Sequence, residues 1–308
     1  MKLFLFILKR FFRLILTILI ISTIIFFVIR VIPGDPAIVV AGIDASSAEI
    51  QAIRVKLGTD VPVAVQYVRW MKNLAHLDFG TSLITNQPVM TLIKQRFPLT
   101  FSLALLGIFL GILIAIPLGV LSAVHRWSLW DYFGMVFSQL GMAIPSFWLG
   151  IILLLLFSVK FPIFPLFGSG SIKNLFLPAI ALGFARAAVI LRLTRASMVD
   201  ELSKEYIITA RAKGLTEKMI HYKHALKNAL IPVVTVTGIQ FGYMLGGAII
   251  IEQVFSLPGL GRLFLFAIYQ RDFPLIQGGV VFIAVIFSFT NFLVDMFYSF
   301  LNPKIRIS

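Results

Sequence analysis

Cysteine is absent from the 308 residues, and histidine occurs only four times. Without thiols the chain has no disulfide, no Cys-x-x-Cys metal knuckle and no cysteine nucleophile, and its redox compartment is unreadable. Acidic residues number 13 against 27 Lys and Arg, and charged residues of both signs make up only 13% of the chain. No Gly-Lys dipeptide occurs, so the chain holds no phosphate-binding loop of its own. The two-residue alternation of a lipid-facing barrel is missing too, which excludes that architecture.

What fills the sequence is hydrocarbon. Hydrophobic residues make up 59%, with 30 Phe, above the apolar share of a soluble domain. Six windows stand out, at 11–32, 99–124, 133–159, 175–194, 233–251 and 277–301. Each can cross a hydrocarbon core of about 30 Å, which takes roughly 20 residues at a helical rise of about 1.5 Å. Lipid offers backbone amides no water, so each window is predicted to be helical. The fold class is therefore an all-α membrane protein of six transmembrane helices.

A net charge of +14 raises the question of nucleic acid. With the N-terminus inside, fifteen Lys and Arg fall on inner segments, from Lys2 to Arg306, while the two short outer connections hold only Lys160, Lys173, Arg262 and Arg271. Segment 33–98 is too long for its charge to set topology. Both termini are thus placed in the cytoplasm, and the basicity reads as positive-inside bias toward membrane lipid rather than a nucleic-acid footprint. The first window is followed by "VIPGDP" where a small-residue cleavage site is expected, so it reads as an uncleaved anchor.

The chain then divides into an anchor helix at 1–32, an extracytoplasmic cap at 33–98, a permeation core at 99–301 and a cytoplasmic tail at 302–308. In the cap, "PGDPA" forces a turn, and Ser47, Pro62 and Pro88 are placed to start short helices. Small residues recur every fourth position in two spans: Gly107, Gly111, Ala115 and Gly119 in the second, Gly238, Gly242 and Gly246 in the fifth. Such stripes let a neighbouring backbone approach closely. Pro145 is expected to kink the third span.

Few polar groups lie at membrane depth. Arg186 is roughly 16 Å into the fourth span, at about 1.5 Å per residue, and marks either a pathway or an internal seam. Depth matching pairs Asp295 with Arg192 as a structural ion pair between the sixth and fourth spans. His76, His125, His221 and His224 fall in connections, so an intramembrane enzyme has no activated side chains to use, and neither a catalytic nor a metal site is assigned. A self-sufficient secondary transporter or channel would show paired carboxylates at depth, and Asp295 is the one acidic residue placed well inside a span.

The most polar stretch is the inner connection at 195–232, within it "EYIITARAKGLTEKMIHYKHALKNALIP". Ser203 is placed to cap a short helix and Gly214 to end it in the left-handed conformation that glycine enters easily. Tyr206, Ile207 and Ala210 share one face of that helix, an apolar strip offered outward, with Lys204, Arg211 and Lys213 on the others. Thr216 then caps a second helix running to Pro232. A basic amphipathic helix across the end of a bundle is a docking element for lipid headgroups or a protein.

"YIITARAKGL" followed by "KHALKNALIP" resembles the cytoplasmic EAA loop of ABC importer permeases, in the version of the dipeptide, oligopeptide, glutathione and nickel group. "IPGDPA", "LDFGTSL", "IPSFWLG", "FSLPGLGRL", "RDFPLIQ" and "NPKIR" agree in order over nearly the whole chain. The resemblance implies a type I importer permease in a bacterial inner membrane, with both termini inside. It makes Tyr206 to Gly214 the coupling helix, with Tyr206, Ile207, Ala210 and Gly214 as its marker positions. It implies a second related permease, two ABC ATPases that hydrolyse ATP with Mg in this chain's stead, and an extracytoplasmic binding protein. Two departures stand out: Ile208 replaces the general loop's glutamate, and Gly214 to Pro232 is longer than the general spacing. Absence of His and Cys from the spans, with only scattered Met135, Met142, Met244 and Met296, tilts the cargo toward a peptide or glutathione, nickel or a metal chelate being the alternative.

Overall fold

A computed structural model describes residues 2–31, 35–42 and 44–301. The tail 302–308, with the "NPKIR" motif, and Pro33 and Gly34 of the expected turn lie outside the described residues. Every described element is helical, apart from one isolated bridge between Thr81 and Pro88.

The anchor is α1, Lys2–Val31. The cap consists of α2, Pro36–Ala41, α3, Ser47–Leu57, and α4, Val63–Ala75. Ser47, expected as the cap of α3, is instead its first helical residue. Ser46 is the cap: its Oγ accepts from the Glu49 N–H at 3.3 Å while Glu49 accepts from the Ser46 N–H at 2.8 Å, a reciprocal box that needs three positions between cap and Glu and that Ser47, only two before Glu49, could not make.

From Pro88 the chain enters α5, Val89–Val124, unbroken through Pro98 and Pro117. The boundary drawn at residue 98 therefore lies inside one helix; each proline costs a backbone bond, yet burial of Leu92, Ile93, Leu103 and Ala104 on both sides of Pro98 holds the axis together. At about 1.5 Å per residue its 36 residues run about 54 Å, well beyond a hydrocarbon core, so α5 carries the cap on one end and the inner connection on the other.

The third window is not one kinked span. It is two helices, α6, Leu129–Ala143, and α7, Ser146–Leu154 with a wider π-turn to Lys160, at 100° to each other about Pro145. Proline at the N-cap of α7 starts a new helix there rather than bending an old one.

Next come α8, Ile172–Leu202, and α9, Glu205–Ala212; α10, Glu217–Met219, leads through a π-turn into α11, Leu226–Gly247. The fifth window breaks at Ala248, giving α12, Ile249–Val254; α13, Leu260–Tyr269, and α14, Phe273–Leu301, complete the chain.

The core runs along α5, α8 and α11. Where α5 crosses α8, a Cβ on Gly107 would stand 3.0 Å from the Ala179 carbonyl oxygen, and one on Gly119 would stand 2.9 Å from that of Leu191. Gly111 meets Ala187 at ordinary contact distance. Gly183, not singled out by the sequence, faces Gly107 more closely still. On α11, Gly238 and Gly242 pack against Val294 and Phe287 of α14. Gly246 is the exception in its stripe: nothing lies within 4 Å of its Cβ position.

Candidate functional site

At the end of the bundle where α5 finishes, α9 lies against three other elements. Its Ile207 and Ala210 are buried among Val120 and Ala123 of α5, Met198 of α8, Ile220 and Ala225 of the π-turn before α11, and Ala229 of α11. The expected direction of the apolar strip is therefore reversed. Ile207 and Ala210 anchor α9 to its own chain, and Tyr206 is tied back as well, its hydroxyl donating to Glu201 at 2.7 Å and accepting from Asn228 at 3.1 Å. Burial, and then that bond to the carboxylate, push the Tyr206 phenol above its ordinary pKa, so it stays a donor. The outward face holds Glu205, Ile208, Thr209, Arg211 and Ala212, with Ile208 60% exposed.

The ends of α9 follow different chemistry from that expected. Ser203 does not cap it; Ser203 ends α8, its Oγ donating to the Asp200 carbonyl, and Lys204 occupies the N-cap with its ammonium on Glu201. Gly214 has φ +77°, and nothing lies within 4 Å of its Cβ position. Backbone conformation, not crowding, is what glycine supplies there. Arg211 closes the following turn by two bonds to Glu217, at 2.8 and 3.2 Å, and Thr216 caps α10 through the Met219 N–H.

Near the same end of α5 sits an ion pair that sequence reasoning missed. Asp131, fully buried on α6, accepts from Arg195 Nε at 2.5 Å and Nη2 at 2.8 Å, from Ser122 Oγ at 2.7 Å and from the Trp127 N–H at 3.1 Å. Every oxygen is satisfied, so the charge is held by α5, α6 and α8 at once. Sequence counting had left Asp131 in a connection two residues before its window, which hid it.

The expected Arg192–Asp295 pair does not form. Asp295 instead meets Arg10 of α1 at 2.7 Å, and Arg192 is exposed. Depth along α8 was a fair guide to height, but α14 packs on α1 and α11, so α8 is not its neighbour there.

Midway along the bundle, Arg186 of α8 donates through Nη1 to Gln240 of α11 at 3.1 Å and lies 5.9 Å from the Tyr243 ring. No carboxylate pairs with it among the described residues. The adjoining face of α11 exposes half of Tyr243 and the open Gly246. At the cap end, Glu252 is wholly buried, accepting from Thr100 Oγ1 at 2.5 Å and from the Arg262 N–H at 3.1 Å, while Thr100 accepts from the Leu260 N–H at 2.9 Å. That network fixes the turn between α12 and α13 to α5. It was missed because Glu252 stands one residue past the fifth window.

Two family descriptions cover the chain: the binding-protein-dependent transport system inner membrane component over residues 115–307, and the N-terminal region of such components over residues 3–104. The chain belongs to this family. The permease is 42% identical to the glutathione transport system permease protein GsiC of Pectobacterium atrosepticum over 298 residues, covering 97% of each chain. It is 41% identical to a putative peptide transport system permease of Brucella abortus, covering 97% of this chain and 98% of that one. In fold, the permease resembles the inward-facing MetNI methionine ABC transporter, with a TM-score of 0.57 at 18% identity over 69% of this chain and 97% of the other. An amino acid ABC transporter solved with histidines aligns at a TM-score of 0.52 and 17% identity, over 70% and 94%. The permease is thus a multi-pass membrane subunit of the ABC importer class.

Proposed function

We propose that this chain is one of two membrane subunits of an ATP-driven importer of peptide-type solutes in a bacterial inner membrane. The observation that carries the reading is the seating of α9: one short helix touches α5, α8 and the root of α11 while turning Ile208 and Arg211 outward. A push on that face moves three spans together, since buried side chains transmit displacement in a close-packed core. With no phosphate-binding loop in the chain, the push comes from two partner ATPases that bind ATP and Mg. Positive-inside bias puts α9 and both termini in the cytoplasm and the cap outside, where a solute-binding protein would deliver cargo.

The cargo reading rests on the relatives named for glutathione and peptides, and on the polarity at depth. Arg186 and Gln240 offer N–H donors and a carbonyl acceptor, which suit the carboxylates and amides of a peptide and not a soft metal ion. Arg186 then lines the path on the side that a second, related permease completes.

Mild-detergent purification of the tagged chain, with mass spectrometry of its companions and uptake assays in vesicles, tests the assignment. Recovery of a second permease and P-loop ATPases, with ATP-dependent uptake of glutathione or a dipeptide, is expected. Transport by the chain alone would overturn the assignment in favour of a self-sufficient carrier.

A further inference from the structure

At the cap end, at the opposite end of α5 from α9, a half-open cavity of ≈ 450 Å³ lies between α1, the cap helices and the start of α14. Its size falls within the roughly 300–1,000 Å³ of small-molecule sites. Two pairs of opposite charge line it. Arg54 and Asp35 neutralise each other through Nε at 2.6 Å and Nη2 at 2.5 Å, and Asp35 also caps α2. Arg30 and Asp78 are different: neither has an oppositely charged partner among the described residues.

Arg30 is nonetheless held in place. Its Nε and Nη2 donate to Gln66 at 3.1 and 2.9 Å, its Nη1 donates to the Phe26 carbonyl at 2.9 Å, and its Cζ lies 3.3 Å from the Phe26 ring centroid. Three of its five N–H groups are used, so two remain for an acceptor. Asp78 is fixed by one oxygen, which accepts from the Gly80 N–H at 2.8 Å, leaving the other. The walls are rigid, since Asp272 at the foot of α14 accepts from Ser82 Oγ at 2.5 Å and from the Leu83 N–H at 3.2 Å, tying cap to span.

A fixed guanidinium and a fixed carboxylate, both unpaired, complement a molecule carrying one carboxylate and one ammonium. We propose that this cavity is a binding site for short zwitterionic peptides on the outer face of the permease, the carboxylate on Arg30 and the ammonium on Asp78. The site rests on the peptide-type reading for the source of its ligand, while its place and charge come from the cavity alone. It would hold cargo arriving from a binding protein before the spans open, since it adjoins the first turn of α14 at Phe273 and Pro274.

The test is equilibrium binding of radiolabelled trialanine to the full-length permease, with its co-purifying partners, in lipid nanodiscs. Trialanine amide, lacking the carboxylate, and N-acetyl trialanine, lacking the ammonium, serve as competitors. Asp78→Asn keeps the oxygen that caps Gly80, and Arg30→Gln removes the guanidinium; thermal unfolding checks that each variant is folded. Wild type is expected to bind trialanine at least roughly tenfold more tightly than either blocked form, the size of one charge-assisted hydrogen bond. Arg30→Gln should lose the preference against the amide only, and Asp78→Asn the preference against the acetyl form only. Equal binding of all three peptides by wild type, or preferences unchanged in both variants, overturns the site. ATP-driven uptake of trialanine is measured in parallel: uptake without the cavity preferences refutes the site and leaves the cargo reading standing, whereas the preferences without uptake support the site and refute the cargo.

Discussion

Replacing Gly183 with Ala places one methyl group between α8 and α5. Its Cβ would overlap the Gly107 carbonyl oxygen, with the carbonyl carbon at 3.0 Å and the Cα at 3.3 Å. All three are backbone atoms of a helix, so no rotamer can yield. The helices must part by on the order of 1 Å, which strips dispersion contacts from the neighbouring residues on both sides. Overpacking of this kind costs about 1–3 kcal/mol. For a chain of this length about 2 °C accompanies each kcal/mol on soluble-protein scaling, so a fall of roughly 2–6 °C is expected in thermal unfolding followed by tryptophan fluorescence in detergent. Gly246→Ala is the matched control, since its Cβ meets nothing, and alanine is the better helix former by about 1 kcal/mol. The reasoning fails if Gly183→Ala melts within about 1 °C of wild type, or if Gly246→Ala falls as far.

Arg195→Met leaves buried Asp131 without its guanidinium and should cost near the lower end of about 3–5 kcal/mol, because Arg195 is itself partly exposed; adding Asp131→Asn should recover part of the loss, and a strictly additive double variant would count against the pairing. Ile208→Asp should leave stability within about 0.5 kcal/mol yet cut ATPase recovery in pull-downs about tenfold, while Ile207→Asp should destabilise the fold itself; the opposite order would show that α9 docks by its other face. Arg186→Met should impair uptake without loss of membrane insertion, and unchanged uptake would remove Arg186 from the path. Gly214→Val should uncouple ATP hydrolysis from transport, because a β-branched residue at φ +77° is strained whatever space surrounds it, and undiminished coupling would refute that role.

What the sequence decided by itself was set by length and local order, although Ser47 and Ser203 each fell one residue from the helix cap they were expected to make. Hydrocarbon runs placed the spans because lipid leaves a backbone no choice but helix. Thr216 as a cap and Gly214 as a stop were readable because each acts on neighbours within four residues. The small-residue stripe of α5 was readable because its spacing repeats on one helix. Tertiary structure decided whatever depends on which helix lies beside which. Asp295 chose Arg10 over Arg192, Asp131 found Arg195 64 residues away, Gly246 lost its neighbour while Gly183 gained one, and the apolar strip of α9 turned inward. Periodicity shows that a helix has an apolar face, but the direction of that face is fixed only when three other helices arrive to bury it. The cap-end cavity has the same origin, because Arg30 and Asp78 are 48 residues apart and line one cavity only where α1, the cap and α14 come together.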